Sequence, residues 1–154
     1  MKNIYLASPF FNDKQRERLH TVKDLLLKND TVGNVYLPEE HQMESEELYS
    51  FPWQVGVFSQ DVRQIMTSDV VVCILDYITS SEGEIVTDTG TSWEAGAAYA
   101  NNIPVVYVQF EHTSQLNLMI AQSGTAYFEE DKVAKLKSYD FNNLPQNFTK
   151  QPVF

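Results

Sequence analysis

The stretch 69-DVVVCILD-76 decides the fold. Its six central residues are all apolar and mostly β-branched, with an aspartate at each end. A short run without polar alternation reads as a strand buried on both faces. That burial arises where helices cover a parallel sheet above and below. Working outward, NIYLA (3–7) begins a strand. Residues 13–29 repeat apolar positions at Leu19, Val22 and Leu26, the spacing of an amphipathic helix. VGNVYLP (32–38) is a strand stopped by Pro38. Residues 53–67 place Val55, Phe58, Val62, Ile65 and Met66 on one helix face, expected to be buried. An acidic loop (77–88), a helix (91–101) and the strand IPVVYVQF (103–110) come next. A short helix near 114–122, a weak strand TAYF (125–128), a helix over 129–137 and a polar tail ending QPVF complete the chain.

This alternation predicts an α/β fold: a single-domain, doubly wound (flavodoxin/Rossmann-like) sandwich over residues 1–154, with a mostly parallel five-stranded sheet. Ligands of such sheets lie beyond the carboxyl ends of the strands. The segments 7–12, 38–50, 76–91 and 110–119 are therefore where a site belongs.

Composition narrows the partners. With 154 residues the chain suits one domain. A formal net charge of −10 disfavours nucleic acid and anionic membrane, both of which call for a basic face. A small, neutral or weakly charged ligand fits better. Cys73, the single cysteine, rules out an internal disulfide and reads as a buried, inert thiol. MKNIYLASPF turns polar too early for a signal peptide, and no apolar run reaches the roughly 20 residues of a membrane span. A cytoplasmic protein is expected. Neither GxGxxG nor GxxxxGK[ST] occurs, so dinucleotide and P-loop chemistry lack their phosphate cradles.

Carboxylates crowd the segment after the central strand: Asp76, Glu82, Glu84, Asp88 and then Glu94. Two readings of Glu94 stand side by side. Thr91 to Glu94 has the spacing of a capping box, in which the glutamate folds back onto the helix start. Alternatively, the small residues Gly90, Ala95, Gly96, Ala97 and Ala98 let this helix pack closely and hold a partly buried, poised carboxylate. Fixed carboxylates near one another are what glycosyl transfer uses, one attacking carbon and another handling the leaving group's proton. Asp61, one helical turn from Phe58 and Ile65, borders the same expected face. ASPFF after the first strand has no glycine and reads as core or pocket wall.

Taken in order, IYLASPFF, YLPEEHQ, FSQDVRQIMTSDVVV, DTGTSWEAGAAYANNIPVV and LNLM, with a final aromatic residue, resemble the nucleoside 2-deoxyribosyltransferases along nearly the whole chain. The resemblance implies that Glu94 is a nucleophile that attacks the anomeric carbon of a 2′-deoxynucleoside, and that a free nucleobase then takes over the sugar with retention. It implies that Tyr5 orients Glu94, that Asp61 and Asp88 flank base and sugar with Asp88 protonating the base, and that Gln42 contacts the base; Phe10, in the pocket-wall stretch, is a further candidate substrate-binding residue. Asn117, Met119 and Phe154 correspond to further substrate-binding positions, the first two reaching into a neighbouring subunit's site. A homo-oligomer, a hexamer by analogy, is implied, with 2′-deoxynucleosides and free nucleobases as partners and no metal or other cofactor. Two departures stand out: ASPFF replaces a stretch with glycine and tryptophan, and Phe154 replaces a tyrosine. Loop 77–87 is a candidate for setting base preference. Two other functions compete: a 2′-deoxynucleoside 5′-monophosphate N-glycosidase, which would need a phosphate site after the first strand, and a non-catalytic nucleoside-binding module.

Overall fold

Strand β3 (Val70–Ile74) is central in the computed structural model, which describes residues 1–79 and 85–154. It pairs in parallel with β1 (Lys2–Ala7) on one side and β6 (Val105–Gln109) on the other. Parallel β2 (Val32–Tyr36) and β7 (Gly124–Glu129) complete the order β2-β1-β3-β6-β7. All five strands run parallel. The acidic segment after β3, expected to be loop, contains an antiparallel pair, β4 (Ile78–Thr79) and β5 (Ile85–Val86). Residues 80–84, with Glu82 and Glu84, lie outside the described residues, and with them the middle of the loop expected to set base preference.

Alternating side chains of the strands feed two cores. On one face Ile4, Leu6, Val70 and Val72 pack with Leu19, Val22 and Leu26 of α1 (Asp13–Leu27) and with Val133, Leu136 and Phe141 near the C-terminus. On the other, Tyr5, Ala7, Val71, Cys73 and Tyr107 meet Ile65 of α2 (Phe51–Thr67), Ala95 and Ala98 of α3 (Thr89–Ala100) and Ile120 of α4 (Leu118–Ser123). Cys73 is fully buried, as expected.

Three expectations need correction. Of the five apolar residues predicted to bury one face of α2, only Ile65 is buried; Val55, Phe58 and Met66 are exposed. The helix is apolar over a wider arc than its own chain covers. The helix over 129–137 is a 3₁₀ segment, Glu130–Ser138, whose buried residues Val133 and Leu136 sit three apart, matching its three-residue turn. Gly96 faces open space, whereas Ala95 and Ala98 make the close contacts of α3.

Candidate active site

The start of α3 settles what Glu94 does locally. The N-cap is Asp88, whose Oδ2 accepts from the Thr91 backbone N–H at 2.7 Å, while its carbonyl accepts from Ser92 Oγ. The helix therefore begins before Thr91 and the capping box from Thr91 to Glu94 does not form. Glu94 falls in the second turn, past the unpaired N–H groups a cap would satisfy. It turns instead toward the sheet. Tyr5, wholly buried on β1, donates its hydroxyl to Glu94 Oε1 at 2.5 Å.

Opposite stands Asp61 on α2. Phe58, Asp61, Val62, Ile65, Gly90, Trp93 and Glu94 line one cavity of about 340 Å³. Apolar walls with two carboxylates make a site where charge is expensive. Burial pushes the Glu94 carboxyl up to about 7; the Tyr5 hydrogen bond opposes this, and the charges of Asp61 and Asp88 add to it. Burial likewise raises Asp61 to about 6, against the lowering effects of the Tyr36 hydrogen bond and of His41. The Tyr5 phenol is driven far above its ordinary range, first by burial and then by the Glu94 and Asp61 charges. It is a donor at any working pH. Two carboxyls poised near neutrality in one cavity suit proton transfer and nucleophilic attack alike.

The structure brings together Tyr5, Asp61 and Glu94, with Asp88 at the mouth of the same helix. The other expected residues lie elsewhere in the chain. Gln42 donates its side-chain N–H to the Pro38 carbonyl, and its own carbonyl accepts from Trp53 Nε1. Phe10 packs on the α1 core and stacks with exposed Phe11 at 5.7 Å. Asn117 caps α4 by accepting from Met119 N–H at 2.9 Å. Met119 borders a second cavity, about 520 Å³, on the far side of α3 with Tyr99, Leu118 and Phe148. Phe154 is held by backbone hydrogen bonds to Leu116 and Leu118. Asp76, one of the crowded carboxylates, faces α1: Gln15 Nε2 donates to it at 2.8 Å and Arg18 pairs with it. Gln15 also accepts the Phe11 N–H at 2.8 Å, tying the segment after β1 to the end of β3. Among the described residues no cluster of side chains is suited to hold a metal, and no helix is long and apolar enough to cross a membrane.

Comparison with known proteins identifies the family. The family model described as nucleoside 2-deoxyribosyltransferase matches residues 4–143. The chain belongs to the nucleoside 2-deoxyribosyltransferase family. A nucleoside deoxyribosyltransferase of Limosilactobacillus fermentum is 31% identical over 164 residues, covering 98% of this chain and 94% of that protein. The solved structure of a 2-deoxyribosyltransferase from Bacillus psychrosaccharolyticus superposes with a TM-score of 0.79 at 35% identity, over 96% of this chain and 98% of that one. A 2-deoxyribosyltransferase from Leishmania mexicana, 19% identical with a TM-score of 0.53 over 81% and 73% of the two chains, shares the fold. The five-stranded parallel sheet with helices on both faces is thus the fold of this family.

For a deoxyribosyltransferase-family chain, the residues that sequence reasoning missed are Tyr36, His41 and Gln60, all packed around Asp61. YLPEEHQ held two of them. Tyr36 closes a strand, the end at which ligands are expected, and that was the signal available.

Proposed function

We propose that this enzyme exchanges the base of 2′-deoxyribonucleosides with a free purine or pyrimidine base, through an ester between deoxyribose and Glu94. The observation that carries the reading is the pairing of a half-buried Glu94, anchored by Tyr5, with Asp61 across one cavity.

Tyr5 holds Oε1 of Glu94 and leaves Oε2 to attack the anomeric carbon. The bond from that carbon to the base nitrogen breaks, its electron pair leaves with the base, and a proton passes from a carboxyl to the base. We assign that proton to Asp61 in preference to Asp88. Asp61 lines the cavity, and a raised pKa keeps it protonated closer to neutrality. Asp88 has one oxygen committed to the Thr91 backbone N–H at the helix N-terminus and is not among the residues lining the cavity. The ionised Glu94 stabilises the oxocarbenium-like transition state and then captures it. An incoming base attacks from the opposite side, the ester bond breaks toward Glu94, and the acceptor's proton returns to Asp61. Two inversions retain the configuration.

The reading extends to assembly. Gln42, Phe10, Asn117, Met119 and Phe154 are assigned to substrate contacts completed by neighbouring copies of the chain in a homo-oligomer, a hexamer by analogy. The exposed apolar residues Val55, Phe58, Trp93, Leu118, Met119 and Phe148 support an assembly, because water-facing side chains of that size gather at interfaces. A role in deoxyribonucleoside salvage in the cytoplasm accords with the lone reduced thiol.

The test is base exchange. Incubation with thymidine and adenine, and with deoxyinosine and adenine, is followed by chromatography beside the Glu94→Ala variant. Deoxyadenosine forming with the parent enzyme and not with the variant supports the reading. Release of free base without exchange would make the protein a hydrolase, and an intact nucleoside would make it a binding module.

A further inference from the structure

Asp61 is held from outside the cavity by an arrangement with a defined direction. Tyr36, at the end of β2, stacks on Tyr5 with ring centroids 5.5 Å apart and on His41 at 4.4 Å. Its hydroxyl lies 3.0 Å from Asp61 Oδ1 and 2.9 Å from Gln60 Nε2. The same Gln60 nitrogen reaches the His41 carbonyl at 3.3 Å. A carbonyl only accepts, so this contact fixes Gln60 with its NH₂ group toward Tyr36. The Tyr36 oxygen then accepts from Gln60, and its single hydrogen is left for Asp61. His41 is oriented by the same logic: its Nδ1 lies 3.0 Å from the Leu37 carbonyl and carries the proton.

We propose that Gln60 and Tyr36 form a one-way hydrogen-bond relay that positions Asp61, fixing Oδ1 and leaving Oδ2 to exchange the proton with the base. The proposal rests on the assignment of Asp61 as proton donor above. Tyr36 is a positioning residue, since it acts through Asp61. The titratable groups facing Asp61 are Tyr36 from β2, His41 from the segment after it, Tyr5 from β1 and Glu94 from α3, with Asp88 behind Glu94. Of these, Tyr36 donates directly and favours the ionised carboxylate, as does the His41 charge. Removing the Tyr36 hydroxyl must therefore make Asp61 harder to ionise.

The sign of the consequence is independent of which carboxyl titrates first. The competent form has Asp61 protonated and Glu94 ionised. At low pH its population is limited by Glu94 alone. At high pH it is limited by Asp61, so a raised Asp61 pKa enlarges it there. The experiment compares kcat/KM for base exchange by the parent enzyme, Tyr36→Phe, Gln60→Ala and Asp61→Asn across pH 5 to 9. The activity of Tyr36→Phe relative to parent is expected to climb about three- to tenfold from the acid to the alkaline end, the size set by one charge-assisted hydrogen bond. Gln60→Ala, which leaves both tyrosine rings in place, is expected to climb in the same sense by less. It also decides the matter if Tyr36→Phe does not fold. A ratio constant across pH for these variants overturns the relay and leaves Tyr36 a packing residue. If Asp61→Asn keeps the parental rate and profile, the assignment of Asp61 fails and takes the relay with it. If base exchange is absent from the parent enzyme, the functional reading itself has failed.

Discussion

The two faces of the sheet are built from the same strands and differ in almost everything else. Toward α1, the strands present Ile4, Leu6, Val70, Val72, Val106 and Val108, and the helix seals them with leucine and valine. Toward α2 and α3, the same strands present Tyr5, Tyr36, Cys73 and Tyr107, and the helices bring Asp61 and Glu94 against them. Large apolar side chains stay exposed on the second side. One face is sealed throughout, while the other holds half-buried carboxyls and leaves apolar surface uncovered, the combination the proposed chemistry calls for. Natural sites often sacrifice stability in this way.

Substitutions on each side should separate these roles. The largest effect is expected from Glu94→Ala: exchange should drop by about a thousandfold or more, with the fold retained, when initial rates are measured by chromatography. Asp61→Asn should lower exchange by about 10²–10⁴-fold, least with nucleosides whose bases leave readily. On the sealed face, Leu19→Ala should cost about 2–5 kcal/mol in denaturant unfolding, while the folded fraction keeps its specific activity. Equal losses of stability and activity on both faces would break the comparison.

The carboxyls also predict how stability responds to pH. Glu94 and Asp61 have folded pKa values of about 7 and about 6, above their ordinary values of 4.5 and 3.8. The folded state therefore binds more protons than the unfolded one in this window. Their contribution is most favourable below about pH 4 and is lost as pH rises through 6 and 7. Glu94→Gln, which cannot ionise, should stabilise the enzyme by about 1–3 kcal/mol at pH 8 and by little at pH 4.5, read as melting temperature. The smallest effect on the fold should come from Met119→Glu, at an exposed position. Unfolding free energy should shift by about 0.5 kcal/mol or less, whereas the mass in solution should fall if this side joins copies of the chain.

The sealed face was readable because its signals are local. A β-branched run such as VVVCIL, or leucines three and four apart, reports its own burial. The candidate site was partly readable for a different reason: the family resemblance pointed at Tyr5, Asp61, Asp88 and Glu94. No spacing rule joins Tyr5 to Glu94 across 89 positions; only the parallel pairing of the strands places β1 under α3. The capping-box pattern at Thr91 misled because Asp88, three residues earlier, is itself a good cap and starts the helix sooner. The α2 face is apolar as expected and yet largely exposed, since periodicity reports an apolar surface without saying how much of it the fold covers. Tyr36 and Gln60 were passed over because their importance lies in what they do to Asp61, a relation absent from the linear pattern.

The central claim is that Glu94 carries the sugar between bases. Its most direct test is the intact mass of the enzyme after incubation with a 2′-deoxynucleoside in the absence of an acceptor base, quenched in acid and followed by peptide mapping. The account predicts a deoxyribosyl adduct on Glu94 that disappears when adenine is added before quenching and never forms in Glu94→Ala. An enzyme that exchanges bases while remaining unmodified, or that carries the sugar on another residue, would contradict it.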